Sequence, residues 1–181
     1  MSTLFRPASV LLEHYAETHR DRRNIVTHAL GVPMVVFALG VFLAGASFSL
    51  GGLALTPAWL AFGLAAAWYL TRGQFGLGAA TTVGVGALVL LAHSVSSVSL
   101  GPWLVCAMSF LVLGWALQFV GHYYEGRTPA LFGDLGGVLV APMFVVLDLL
   151  APLGLFKGLQ AAIERHAGPT FIRDLAQPAT R

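Results

Sequence analysis

Charged residues are scarce in this chain. Only 10% of its 181 residues are Asp, Glu, Lys or Arg, whereas a soluble domain carries about 25%. Between Arg72 and Glu125 no residue has a formal charge unless a histidine is protonated. Hydrophobic residues make up 57% of the chain. This composition excludes an ordinary soluble domain and predicts an integral membrane protein built from apolar helices.

Cysteine and a large excess of one charge sign are also lacking. Cys106 is the single cysteine, which excludes an intramolecular disulfide framework. The formal net charge is only +2, and the ten Lys and Arg residues cluster outside the apolar runs. That distribution is typical of cations that set membrane topology and not of a nucleic-acid surface. We therefore expect membrane lipid, and no nucleic acid, among the partners.

The uncharged runs predict four transmembrane helices. The run from Asn24 to Thr71 is too long for one span and is broken at SLGGLALTP (49–57). The next run is broken at HSVSSVSLGP (93–102). The predicted spans are residues 25–48, 57–71, 75–93 and 102–122.

The amino-terminal segment, residues 1–23, is polar and amphipathic, which predicts an interfacial helix lying against the membrane. One face of this helix would carry five residues: Val10, Leu11, His14, Tyr15 and Thr18. Beyond it, Asn24 is a candidate cap for the first span.

After Pro129 the chain is apolar but is interrupted by acids and prolines at 134, 142, 148 and 152. Each uninterrupted piece is shorter than the roughly 20 residues that a span needs. A re-entrant or tilted helix pair is favoured, with its backbone covered by protein. We thus predict an all-α membrane protein that forms one domain, residues 1–181, with a membrane core at 24–156 and a cytoplasmic tail at 157–181.

The cations orient these spans. Arginines precede the first span (20, 22 and 23), follow the second (Arg72) and follow the fourth (Arg127). The loops at 49–57 and 94–101 carry no charge. By the positive-inside rule, the amino terminus and the loops at 72 and 125 are cytoplasmic. The predicted location is a bacterial inner membrane, or the endoplasmic reticulum in a eukaryote.

A polar stripe closes the longest uncharged run. Gln118, His122 and Glu125 fall within about 60° of one another on a helix, because steps of four and three residues return to the same face. Arg127 follows two residues later. An amide, an imidazole and a carboxylate at the mouth of an apolar helix form a face that can bind a ligand, but one face cannot enclose a metal.

The topology sorts the six histidines. His19, His28 and His122 are all predicted at the cytoplasmic end and can meet there. His93 is predicted at the opposite face, about a bilayer thickness away. His14 is about 140° from the helical face of His19, and His166 lies in the exposed tail. Because nine residues put His19 and His28 about half a turn out of phase, the segment RDRRN (20–24) must bend for both to ligate.

Three imidazoles beside a carboxylate and an amide suit Fe(II), Zn(II) or Mn(II). Asn24 lies four residues before His28 and can orient it. Glu125 is a candidate metal ligand or proton acceptor, or a solvated acid paired with Arg127. Arg127 either marks topology or holds an anionic head group. Asp148 is a functional candidate because it lies within an apolar segment.

Two motifs resemble a known family. The first is Tyr15-x3-His19-x4-Asn24-x3-His28-x2-Gly31-x-Pro33. The second is Trp115-x2-Gln118-x2-Gly121-His122-x2-Glu125-Gly126-Arg127-x-Pro129-Ala130-Leu131. In this order they resemble the family of the fungal 2-hydroxy fatty acid dioxygenase, small membrane proteins with many bacterial members.

The resemblance implies an Fe(II)-dependent dioxygenase of fatty acid α-oxidation, acting on a 2-hydroxy fatty acid and O2. The acid would be shortened by one carbon, a reaction that in fungi serves breakdown of the sphingolipid base phytosphingosine. His19, His28 and His122 would hold the iron. Gln118, Asn24, Glu125 and Arg127 would assist catalysis. Two alternatives stay open: a zinc-dependent membrane lipid hydrolase, and a non-catalytic lipid-binding membrane scaffold.

Overall fold

A computed structural model describes residues 3–96, 100–127 and 135–176. Within these ranges the regular secondary structure is helical apart from one short hairpin and an isolated bridge between Asp21 and Phe171. The elements in chain order are α1 (Ala8–Ala16), α2 (Arg22–Ala44), β1 (Phe48–Leu50), β2 (Leu53–Leu55), α3 (Pro57–Leu70), α4 (Phe75–Ser96), α5 (Leu100–Glu125), α6 (Leu135–Leu150) and α7 (Lys157–Ala167). The predicted all-α membrane fold is confirmed.

Four of the described helices are long and apolar enough to cross a membrane: Arg22–Ala44, Phe75–Ser96, Gly101–Glu125 and Gly136–Leu153. The first three correspond to predicted spans. The predicted span at 57–71 is a helix, α3, but it has only 14 residues. At 1.5 Å per residue it is about 21 Å long, less than the roughly 30 Å of a hydrocarbon core.

The fourth membrane-length segment consists of α6 and the 3-10 turn Ala151–Leu153 that follows it. It ends near the end of the bundle where α5 finishes. Glu125, the last residue of α5, accepts a hydrogen bond from the backbone of Arg20. Burial lowers the pKa of Arg20, and the nearby carboxylate of Asp148, close to the end of α6, opposes that shift. The segment predicted as a re-entrant or tilted helix pair contains, among the described residues, one helix that runs through Pro142. Asp134, the first of the interrupting acids, lies outside the described residues.

A two-residue hairpin turn connects the far ends of α2 and α3. Gly51 and Gly52 have φ values of 58° and 85°, and paired positive φ angles give the turn that matches the twist of antiparallel strands. Residues with side chains avoid this conformation, so the Gly-Gly pair sets the break that the sequence indicated at 49–57.

The central contact of the bundle is between α2 and α5, and it depends on small residues. A Cβ added to Gly31 would lie 2.8 Å from the carbonyl oxygen of Gly114. One added to Gly121 would collide with the side chains of Asn24 and Thr27. The two helices therefore approach almost backbone to backbone, which is the packing that glycines permit in membrane helices. This approach places residue 28 of α2 beside residue 122 of α5.

Helix α1 is more enclosed than the interfacial helix that was predicted. Its buried face consists of Ala8, Leu12 and Ala16, which pack with residues of α6 and α7 in one apolar cluster. Val10 and His14, predicted on the membrane-facing side, are exposed. The small alanines let α6 and α7 approach α1 closely. A hydrogen bond of 2.8 Å from the Ala8 amide to the Arg72 carbonyl joins α1 to the α3–α4 loop.

Candidate metal centre

A sharp turn between α1 and α2 positions the first two histidines. Helix α1 ends at Ala16, and α2 begins at Arg22 with Asp21 as its cap, which accepts a hydrogen bond from the Arg23 amide at 2.9 Å. The predicted bend within 20–24 is therefore present, although Asp21 and not Asn24 forms the cap. His19 lies in the turn, and the bend lets it face His28, nearly two turns inside α2.

The structure brings His19, His28 and His122 together. One nitrogen from each ring lies within 4.8 Å of those of the other two. The ring centroids are 4.5 Å apart for His19 and His28, 5.0 Å for His19 and His122, and 5.1 Å for His28 and His122. The three residues are only 3–6% exposed, so the cluster is shielded from solvent.

Two of these rings direct lone pairs at one another. The Nδ1 atom of His19 is 2.7 Å from the Tyr15 carbonyl oxygen, and that of His28 is 3.0 Å from the Asn24 carbonyl oxygen. A carbonyl can only accept, so Nδ1 carries the proton in each neutral ring and Nε2 carries a lone pair. The two Nε2 atoms are nevertheless 3.1 Å apart. A cation held between the two atoms would remove the repulsion between these lone pairs.

A metal ion fits this contact better than a proton does. Two nitrogen ligands about 2.1 Å from one ion and 90° apart are about 3.0 Å from each other. Burial and then the imidazoles of His28 and His122 lower the pKa of His19 well below its usual range, which disfavours an imidazolium. Metal-ligating histidines also characteristically donate their other N–H to a backbone carbonyl.

The third ring retains an unused nitrogen. Nδ1 of His122 is buried and has no hydrogen-bond partner among the described residues. Leaving such a group unpaired in an apolar surrounding costs about 1–3 kcal/mol. Coordination of a metal shared with His19 and His28 would remove this cost.

Aromatic side chains hold the His19 ring in place. Tyr15 stacks on it with ring centroids 4.0 Å apart and planes 9° apart. Phe144 of α6 approaches the same imidazole at 5.8 Å. Four residues beyond Phe144, the carboxylate of Asp148 has a buried oxygen without a partner among the described residues. The late apolar segment thus contributes one wall of the site.

Glu125 is fully engaged with the turn that carries His19. Its oxygens accept hydrogen bonds from the Arg20 amide at 3.0 and 3.1 Å and from the Asp21 amide at 2.9 Å. The Asn24 side-chain amide donates to it at 3.0 Å. Glu125 is only 5% exposed, so this carboxylate is a buried acceptor for three donors and is not the solvated acid that one interpretation allowed.

The other predicted site residues lie at different distances from the cluster. Asn24 is buried, and its amide also donates to the Thr18 carbonyl at 3.0 Å. Gln118 is buried one turn before His122 and packs against Gly31 of α2. Arg127 is exposed just beyond the end of α5.

The histidines that topology excluded lie elsewhere. His93 is at the far end of the bundle, where its Nε2 is 2.9 Å from the Thr56 hydroxyl. His14 and His166 both contact Glu17 near the surface, at 3.3 and 2.8 Å. Among the described residues, the one group of three or more potential metal ligands close enough to share an ion is His19, His28 and His122.

A family model matches residues 5–152 of the chain, and its description is "2-hydroxy-palmitic acid dioxygenase Mpo1-like". The chain belongs to the Mpo1-like family. No curated protein and no solved structure matches it. In this Mpo1-like protein the matched region contains all three clustered histidines and Glu125, and it ends before α7.

One part of this Mpo1-like site was not predicted from the sequence. Residues beyond α7 return to the His19 turn: the Phe171 amide donates to the Arg20 carbonyl at 3.0 Å, and the Arg22 amide donates to the Phe171 carbonyl at 2.9 Å. The sequence predicted this segment only as part of the cytoplasmic tail, residues 157–181. The residues of 168–173 themselves show no periodicity that would have signalled the pairing.

Proposed function

We propose that this protein is an Fe(II)-dependent dioxygenase that shortens 2-hydroxy fatty acids by one carbon. The observation that carries the proposal is the buried pair of facing Nε2 atoms on His19 and His28, completed by His122. Membership of the Mpo1-like family supports the substrate class and the use of dioxygen. A ferrous ion held there would supply the one-electron chemistry that dioxygen requires.

The chain's own residues divide into ligands and positioning groups. His19, His28 and His122 would hold the iron through ring nitrogens. Glu125 and Asn24 would act by fixing the His19 turn, because their polar atoms already bond to that turn and to each other. Gln118 would line the approach between α2 and α5. Arg127, exposed at the bundle end, would attract the anionic substrate before it binds.

The overall conversion balances without an external reductant. One 2-hydroxy acid and one O2 give the acid shorter by one carbon, one CO2 and one water. The bond between C1 and C2 breaks, C2 becomes the new carboxyl carbon, and the four electrons lost by the substrate reduce the O2. Oxygen uptake and the shortened acid should therefore appear in equal amounts.

We further propose that the site opens at the cytoplasmic side of the membrane. The described arginines at 20, 22, 23, 72 and 127 lie at or next to the histidine end of the helices, whereas the far-end segment 45–56 has no Lys or Arg. That asymmetry supports a cytoplasmic histidine end under the positive-inside rule. The acyl chain of the substrate would remain in the surrounding lipid.

Metal analysis of anaerobically purified protein tests the proposal. We expect one iron per chain in the wild type and loss of both iron and turnover of 2-hydroxypalmitic acid in His122→Ala. His93→Ala is the matched control, because it removes a partly buried helical histidine at the opposite end of the bundle. This control should keep iron and activity.

The same measurement separates the alternatives. Stoichiometric zinc with hydrolysis of a lipid ester or amide would contradict the proposal in favour of a zinc hydrolase. Absence of any bound metal after anaerobic reconstitution would favour the non-catalytic scaffold. Retained turnover in His122→Ala with normal iron content would defeat the assignment of His122.

A further inference from the structure

Residues Gly168–Arg173, here called the tail strap, lie across the turn that carries His19. The Arg20 guanidinium donates to the Gly168 carbonyl at 3.1 Å. Phe171 forms a parallel bridge with Asp21. The Phe171 amide donates to the Arg20 carbonyl, and the Phe171 carbonyl accepts from the Arg22 amide. The strap therefore adds a short extended segment to the backbone of the turn.

Arg173 connects this turn to a second element of the site. Its backbone amide donates to the Asp21 carboxylate at 2.8 Å, and its carbonyl accepts from the Arg23 guanidinium at 2.8 Å. Its own side chain reaches α5, where Nε donates to the Tyr124 carbonyl at 2.8 Å and a terminal nitrogen donates to the Tyr123 carbonyl at 3.1 Å.

These contacts link two of the three clustered histidines. The last carbonyls of a helix have no partner within the helix, and a cation there also interacts favourably with the helix dipole. Arg173 supplies both a hydrogen-bond donor and a positive charge to the end of α5, immediately after His122. Through Asp21 it also holds the start of α2, two residues after His19. Arg173 therefore connects the turn that carries His19 to the end of α5. The relative position of these two segments sets the distance between the His19 and His122 rings.

We propose that the tail strap positions His19 relative to His122, with Arg173 as its positioning residue. The inference rests on the proposed function only in that the three histidines share a metal. It extends the site beyond the matched family region, which ends at residue 152. The contacts described above join Arg173 to Asp21, Arg23, Tyr123 and Tyr124, so the effect we propose is on ligand geometry.

The test compares Arg173→Ala and Arg173→Lys with the matched control Arg165→Ala. Arg165 is an exposed cation of α7 in the same tail, so its removal changes the charge equally. Cobalt(II) is the probe, added anaerobically to full-length metal-free protein in detergent, and its visible absorption reports ligand geometry. Affinity is measured by competition with a chelator.

We expect about 10- to 100-fold weaker cobalt binding in Arg173→Ala, the range typical when a residue supporting a metal ligand is removed. The absorption bands should shift because the imidazoles no longer converge as closely. Arg173→Lys keeps the charge but not the forked donor and should recover only part of the affinity. Arg165→Ala should match the wild type in both readouts.

The outcomes separate this inference from the proposed function. If the wild type binds cobalt and Arg173→Ala has the same affinity and spectrum, the strap inference is wrong while the metal site stands. If the wild type binds no cobalt, the metal site and the proposed function fail together. If Arg173→Ala is unfolded by circular dichroism, Arg173→Lys decides: an unchanged affinity and spectrum in that folded variant would also overturn the inference.

Discussion

Replacing Glu125 by alanine should destabilise the protein even when no metal is bound. The carboxylate accepts from three buried donors, the Arg20 and Asp21 amides and the Asn24 side chain. Each donor left without a partner costs about 1–3 kcal/mol. The lower end of that range, applied to three donors, predicts that the free energy of unfolding falls by about 3 kcal/mol.

The measurement is reversible unfolding of the metal-free protein in mixed micelles, for Glu125→Ala beside Glu164→Gln. Glu164 is exposed on α7, so its variant should stay within about 0.5 kcal/mol of the wild type, as is usual for surface changes. Glu125→Gln should also be destabilised, because its amide group would place N–H donors against the Arg20 or Asp21 amides.

The metal-free comparison distinguishes positioning from ligation. A positioning carboxylate stabilises the turn whether or not a metal is present, so both stability and metal affinity should fall. A carboxylate whose role is ligation would leave the metal-free stability unchanged on substitution. Loss of iron binding by Glu125→Ala at unaltered metal-free stability would refute the positioning role.

Three further perturbations follow from the same contacts. Gly121→Ala should cost about 1–3 kcal/mol by overpacking against Asn24 and should weaken metal binding, whereas Gly137→Ala, with open space around it, should be neutral in thermal unfolding. Tyr15→Ala removes the ring stacked on His19 and should lower metal affinity, and Tyr15→Phe should restore it in the same competition assay. Chelation of the metal should lower wild-type stability by about 2.7 kcal/mol relative to protein held at a free metal concentration 100 times the Kd, and a wild type indifferent to chelator would contradict a bound metal.

Much of the fold follows from local features of the chain. The scarcity of charge and the length of the apolar runs predicted helices of membrane length, and three predicted spans match α2, α4 and α5. The arginine positions put the amino terminus and the loops at 72 and 125 together, and hydrogen bonds from Ala8 to Arg72 and from Arg20 to Glu125 join them. Charge and run length are readable without knowing any tertiary contact.

The convergence of His19, His28 and His122 was also predictable, since it required only topology and helical phase. The partners of Glu125 were not, because its hydrogen bond to Asp21 joins residues 104 positions apart. The bond from Arg173 to Asp21 spans 152 positions. The buried face of α1 depends likewise on α6 and α7, which pack against its small alanines. Such contacts are properties of the packed fold and leave no periodic signal in the chain.

The central claim is that the three histidines share one iron, and X-ray absorption of the anaerobically iron-loaded protein tests it most directly. We expect a ferrous ion with nitrogen neighbours at about 2.1 Å and multiple scattering from three imidazole rings, lost together with the bound iron in His122→Ala and unchanged in His93→Ala. An iron shell without imidazole scattering, or a His122→Ala variant that binds iron with the same imidazole scattering as the wild type, would contradict it.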